Sequence, residues 1–134
     1  MSSKTPKLAP ACLTVSFRYL DTTKDKFSLS LGDADFFADV FGRLKAINQI
    51  TKDQFIALQS TGKNWRLHRI DWNGTEHPVS VPSFGLPAPL AADENAWQFM
   101  TSKSTGRVHG FLVSDTFFVV WLDPQHNLYS GKGG

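Results

Sequence analysis

Trp97-Gln98-Phe99-Met100-Thr101, Arg107-Val108-His109-Gly110-Phe111-Leu112-Val113 and Phe117-Phe118-Val119-Val120-Trp121-Leu122 are three runs rich in aromatic and β-branched residues, and their reading decides the fold. Each is too short for an independent helix and is bounded by turn-forming residues, Ser104-Thr105-Gly106 and Ser114-Asp115. Runs of this kind joined by tight turns predict an antiparallel meander. Asp123-Pro124 closes the last run, because proline has no N–H to give to a ladder.

Upstream, Trp65 to Trp72 reads as a further strand ending at the Asn73-Gly74 turn, with Val79 and Val81 on a short returning strand. Residues 82–96 carry three prolines, a glycine and two acids without periodicity, the composition of a long loop. Before these the period changes. Phe36, Phe37, Val40, Phe41, Leu44 and Ile47 form one helical stripe, with Asp33 or Asp35 placed to cap it. Thr51-Lys52-Asp53-Gln54 is a capping box opening a second, shorter helix with Phe55, Ile56 and Leu58. Leu13, Val15, Phe17 and Tyr19, then Phe27, Leu29 and Leu31, alternate as two strands of a hairpin. The expected class is therefore α+β: a helical hairpin packed on an antiparallel sheet with a C-terminal β-meander.

A chain of 134 residues, 41% hydrophobic with 11 Phe and 4 Trp, suffices for one core, so residues 1–134 are read as a single domain with flexible ends at 1–11 and 130–134. The lone Cys12 makes no internal bridge, and Met1 to Leu8, with Lys4, Pro6 and Lys7, holds no signal core. Nor is there a membrane-length apolar run. These features place the expected chain in a reducing, bacterial-type cytoplasm, with no membrane partner. The net charge of +2 permits a nucleic-acid partner without requiring one, and Lys63, Arg66, Arg69, Lys103 and Arg107 put the basic residues near the aromatics.

No phosphate loop, dinucleotide fingerprint, Cys-x-x-Cys or His-Glu-x-x-His is present, so no cofactor is expected. His68, His77, His109 and His126 stand at no local ligand spacing, and no metal is expected either. What remains is a constellation on and after the meander: Lys103, Arg107, His109, Asp123, His126 and Tyr129, with Trp121 among them. Alternation sets Arg107, His109 and Phe111 on one face, where a guanidinium and an imidazole converge on a phosphate. Histidine moves protons near neutral pH and arginine stabilises charge on a phosphorane-like state, so ribose 2′-hydroxyl cleavage needs no metal. Tyr129 is a further proton donor or a stacking surface for a base. Arg66 and His68 make a second polar stripe on the neighbouring strand, with Arg69 on its other face. The plain reading stands beside this one: a solvated sheet face for Arg107 and His109, a turn-fixing His126, and a Tyr129 that anchors the tail.

Gly106-Arg107-Val108-His109-Gly110-Phe111 and Phe117 through Asp123-Pro124-Gln125-His126-Asn127-Leu128-Tyr129 resemble the end of RelE/ParE-type toxins. The resemblance covers the last quarter of the chain; the chain is longer than a typical member, with an additional N-terminal hairpin and the 73–96 insertion. It implies Arg107 as the strand arginine, His126 as the histidine after the last strand and Tyr129 as the near-terminal tyrosine. It also implies RNA cleavage, commonly on the ribosome, and an antitoxin that covers the site. The expectation is a metal-independent endoribonuclease with Arg107, His109, His126 and Tyr129 catalytic and Lys103, Arg66, His68 and Trp121 binding substrate. The alternative is a non-enzymatic, plasmid- or phage-type binding or inhibitory protein that docks its aromatic-rich sheet on a protein partner.

Overall fold

The computed structural model describes residues 12–72, 83–102 and 105–128. The expected turn at Asn73-Gly74, the returning strand at Val79 and Val81, and site residues Lys103 and Tyr129 lie outside the described residues.

The fold is α+β. Five strands, β1 (Thr14–Ser16), β2 (His68–Arg69), β3 (Ala96–Met100), β4 (Arg107–Val113) and β5 (Thr116–Asp123), form one sheet in the order β1-β5-β4-β3-β2. The meander β3-β4-β5 is antiparallel as expected, but β1 pairs with β5 in parallel, so the sheet is mixed. The expected N-terminal hairpin is absent among the described residues: Asp25–Phe27 and Leu29–Leu31 are 3-10 turns. Alternation misled here because Ser28 turns its hydroxyl back on the amide of Ser30 and competes with ladder bonding. Phe27 is buried while Leu29 and Leu31 stay exposed, a pattern no single strand face would give.

Helix α1 (Ala34–Ile47) starts where Asp33 accepts a hydrogen bond from the amide of Phe36. It buries Phe36, Val40, Leu44 and Ile47, whereas Phe41, expected in the same stripe, is 61% exposed. Helix α2 (Lys52–Thr61) carries the full capping box, Thr51 and Gln54 each bonding the other's backbone. The helix junction is tied to the sheet through β1: the Leu13 amide donates to Ile50 O, and Asn48 Nδ2 donates to Leu13 O. Burying each large aliphatic or aromatic side chain beneath α1 and α2 contributes about 1.5–3 kcal/mol against exposure.

The sheet is covered on both faces. One side chain set (Trp97, Phe99, Val108, Leu112, Phe117, Val119 and Leu122) packs under the helices with Phe55 and Leu44. The other (Ala96, Phe111, Val120 and Trp121) packs under Phe27, Phe84 and Leu128 from the flanking segments. Residues 83–95, expected as plain loop, contain two 3-10 turns, Ala88–Leu90 and Asp93–Asn95, and Ala96 already belongs to β3.

The register of β4 with β5 slips between His109 and Gly110: His109 faces Trp121 and Gly110 faces Val119, leaving Val120 as the extra residue. Phe117 and Val119 point to the helix side, and strict alternation would send Trp121 and Asp123 there too. The bulge places Val120 and Trp121 consecutively on the opposite face instead, and Asp123 follows Trp121 to it. Asp21 N donates to Val120 O at 2.8 Å, anchoring the segment after β1 on this irregularity. Gly110 is required at this point, because a Cβ there would collide with the backbone oxygen of Phe118 and the ring of Phe117.

Two glycine replacements should therefore move stability in opposite directions. Gly42 lies mid-helix in α1, where an added Cβ meets nothing within 4 Å, so Gly42→Ala should stabilise by about 1 kcal/mol. Gly110→Ala should destabilise by about 1–3 kcal/mol through overpacking against backbone. Urea unfolding of both variants at neutral pH measures the pair.

Candidate functional site

The face of the sheet away from the helices carries a row of polar side chains. Register makes His68, Gln98, His109 and Trp121 successive neighbours across β2, β3, β4 and β5. One step toward the sheet end, Met100, Arg107 and Asp123 are neighbours across β3, β4 and β5, and the amide of Met100 donates to Trp65 O just before Arg66. Direct partners on adjacent strands share a face, so these side chains meet in one layer.

Asp123 is the node of that layer. Its Oδ2 accepts from His109 Nε2 at 2.8 Å and from the Leu128 amide at 3.1 Å, and its Oδ1 accepts from the Asn127 amide at 2.7 Å. One carboxylate thus ends β5, turns the chain through Pro124 and Gln125, and pins residues 127–128 back onto the sheet. His126 sits in this turn with φ at 57°, a left-handed conformation that a non-glycine residue adopts only when its surroundings hold it there. Asn127 Nδ2 donates to Lys26 O, and Phe27 stacks on Trp121 at 4.6 Å, so the turn and the segment after β1 close over His109 together.

Burial sets the protonation states. Loss of hydration pushes the His109 imidazole below its ordinary value more than the Asp123 hydrogen bond and charge raise it, with His68 and Arg107 adding to the downward push. Burial alone would raise the Asp123 carboxyl, but the bond from His109 and those from the Asn127 and Leu128 amides offset it, and it is held below the usual carboxylate range. The pair is therefore a neutral imidazole donating to a carboxylate. Arg107 is pushed down by burial and by the nearby Arg66 guanidinium, against the pull of Asp123.

The structure brings Arg66, His68, Arg107, His109, Trp121 and His126 into this one region. It also makes most of them interior: His109 and Trp121 are fully buried, Arg107 is 1% exposed and His126 5% exposed. Trp121, expected to bind substrate, is packed between Phe27, Phe84 and Trp72, with its Nε1 donating to Asp21. Arg66 is the member of the set that stands in solvent, and it too has positive φ, 45°. The sheet aromatics expected to dock on a partner, Trp97, Phe99, Phe111, Phe117 and Trp121, are in the core. Gln98, fully buried and hydrogen-bonded to His68, had not been singled out; nothing but its place between Trp97 and Phe99 marked it as facing the polar layer.

A cavity of about 400 Å³ opens beside this region, lined by Gly32, Asp33, Asp35 and Phe36 at the start of α1 and by Thr105, Gly106 and Pro124. Its carboxylates make it a poor seat for phosphate. A second groove, of about 580 Å³, runs along α1 past Asp39, Gly42 and Arg43 on the helix side, where the Arg43 guanidinium stacks on Trp65 at 4.3 Å. Among the described residues no three His, Cys, Asp or Glu side chains come together in a metal-holding group, and no helix is long and apolar enough to cross a membrane. No family model, curated protein or solved structure matches the chain.

The two depressed ionisations have the same consequence in acid. An unfolded histidine takes a proton near pH 6.5 whereas folded His109 resists it, so stability falls as pH drops below 6.5. Asp123 contributes fully above its unfolded value of 3.8, and its contribution disappears as pH falls through the lower folded value. Urea unfolding should show stability declining from about pH 6.5 downward, and His109→Gln should remove the portion lost just below that value. Asp123→Asn should cost on the order of 3 kcal/mol at neutral pH, since it breaks a buried pair from one side.

Proposed function

We propose that this chain is a toxin-like, metal-independent endoribonuclease of the cytoplasm, whose substrate phosphate is received at the sheet end marked by Arg66, Arg107 and His126. The observation that carries this reading is that buried Arg107 is held below its ordinary value first by burial and then by the nearby Arg66 guanidinium. A like-charged pair is relieved by an anion, and arginine matches the geometry of phosphate oxygens. Arg66 meets the ligand from solvent and Arg107 supports it from behind.

In the reaction the ribose 2′-oxygen attacks the adjacent phosphorus as its proton passes to a base. The bond from phosphorus to the 5′-oxygen breaks, and that oxygen takes up a proton. The arginines stabilise the charge gathered on the non-bridging oxygens. His126, beside them in the Asp123 turn, and Tyr129 after it are the proton carriers. His109, buried and bonded to Asp123, acts as a positioning residue that holds the turn bearing His126. An antitoxin-like protein partner would cover this end of the sheet.

Induced expression should arrest growth and degrade RNA. Arg66→Ala, an exposed change that spares the core, should reduce cleavage by about 10²-fold. Each phosphate contact on single-stranded RNA contributes about −0.7 to the slope of log affinity against log salt, so Arg66→Ala should reduce its magnitude by about 0.7. Intact RNA in the presence of purified, folded wild type contradicts the reading. Salt-insensitive binding to a protein would favour the non-enzymatic alternative, with the docking surface somewhere other than the buried sheet aromatics.

A further inference from the structure

His68 Nδ1 lies 2.8 Å from the carbonyl oxygen of Arg69, which only accepts hydrogen bonds, so His68 carries its proton on Nδ1 and its Nε2 is an acceptor when the ring is neutral. Gln98 approaches that Nε2 at 2.9 Å with its amide nitrogen, which fixes the orientation of the Gln98 amide: Nε2 donates toward β2, and Oε1 occupies the other arm. On the next strand, His109 directs Nε2 at Asp123 on β5, so its protonless Nδ1 lies on the opposite edge of the ring. Gln98 and His109 are direct register partners on the same face, and both side chains are completely buried. Gln98 Oε1 and His109 Nδ1 are the two atoms of this pair left without a protein hydrogen-bond partner.

Two buried acceptors cannot satisfy each other, and buried polar groups are rarely left unbonded. We infer that Gln98 Oε1 and His109 Nδ1 form a binding site between β3 and β4 for a small molecule with at least two hydrogen-bond donors, a water or an ammonium ion. A group with one donor would leave one of the acceptors unpaired, and a metal would find only two protein ligands. Once occupied, the site joins the two halves of the layer into one run of hydrogen bonds: Arg69 O to His68, Gln98, the bound donor, His109 and Asp123. Buried waters typically hold such positions by making about three bonds each.

A high-resolution crystal structure of the full chain, grown without ammonium salts, tests this. The expected result is a density peak within hydrogen-bonding distance of both Gln98 Oε1 and His109 Nδ1. In parallel, the nitrogen resonances of His109 should report a neutral ring protonated at Nε2, with Nδ1 accepting a bond. Titration with ¹⁵N-ammonium distinguishes the two sources: a saturable shift of Nδ1 identifies ammonium as the occupant, and no shift together with the density peak identifies water. Absence of both the peak and any ammonium response overturns the proposal, as does a ring protonated at Nδ1. Gln98→Glu keeps an acceptor at the site and Gln98→Met removes it. The peak or ammonium response should survive the first change and vanish in the second; persistence in a folded Gln98→Met protein also overturns the proposal.

Discussion

The single extra residue in β5 governs the arrangement of everything on the open face of the sheet. Before Val120 the strand sends Phe117 and Val119 beneath the helices; after it, Trp121 and Asp123 face the other way. A strand has a period of two, so one inserted residue exchanges the faces of all that follow. Without that change of phase Asp123 would lie beneath α1 and α2, His109 would be a buried imidazole with no carboxylate, and the chain after Pro124 would lack its anchor. Gly110 permits the bulge by leaving room for the Phe118 carbonyl, and Asp21 uses the displaced carbonyl of Val120 to bring the segment carrying Phe27 over the site.

That arrangement makes Asp123 the structural node of the layer. Desolvating a carboxylate is costly, and here three donors offset the cost. The same contacts set the position of His126 and orient His109, whose neutrality comes from burial. A buried carboxylate bonded by three donors tends to specify one geometry, because any displacement strands a buried charge. The proposed ribonuclease reading draws on this rigidity: Arg107 pairs with Asp123 in register at the end of a sheet whose last turn is fixed by that buried carboxylate.

The strong periodic signals were legible. The capping box at Thr51, the Asp33 cap and the three C-terminal runs specify elements through local chemistry, and each forms where the residues indicate. Phe27, Leu29 and Leu31 misled because alternation is also satisfied by a serine-capped 3-10 segment whose one large aromatic is taken up by Trp121. The shared face of Arg107 and His109 was readable from strand alternation, whereas the arrival of Asp123 on that face depends on the bulge. Their burial was not readable: Phe27, which packs against His109, reads as one residue of an alternating strand, and Phe84 comes from a segment without periodicity. The bulge left a trace in the text, a glycine within a strand opposite an unbroken apolar run, but which residue is extra depends on the partner strand.

Native-state hydrogen exchange at the Leu128 amide tests the central claim, that the rephased Asp123 carboxylate holds the chain end as part of the folded core. The account predicts that the Leu128 and Asn127 amides exchange as slowly as the interior amides of β5 and open only with global unfolding. Exchange at the rate of an unstructured tail, while β5 remains protected, would contradict it.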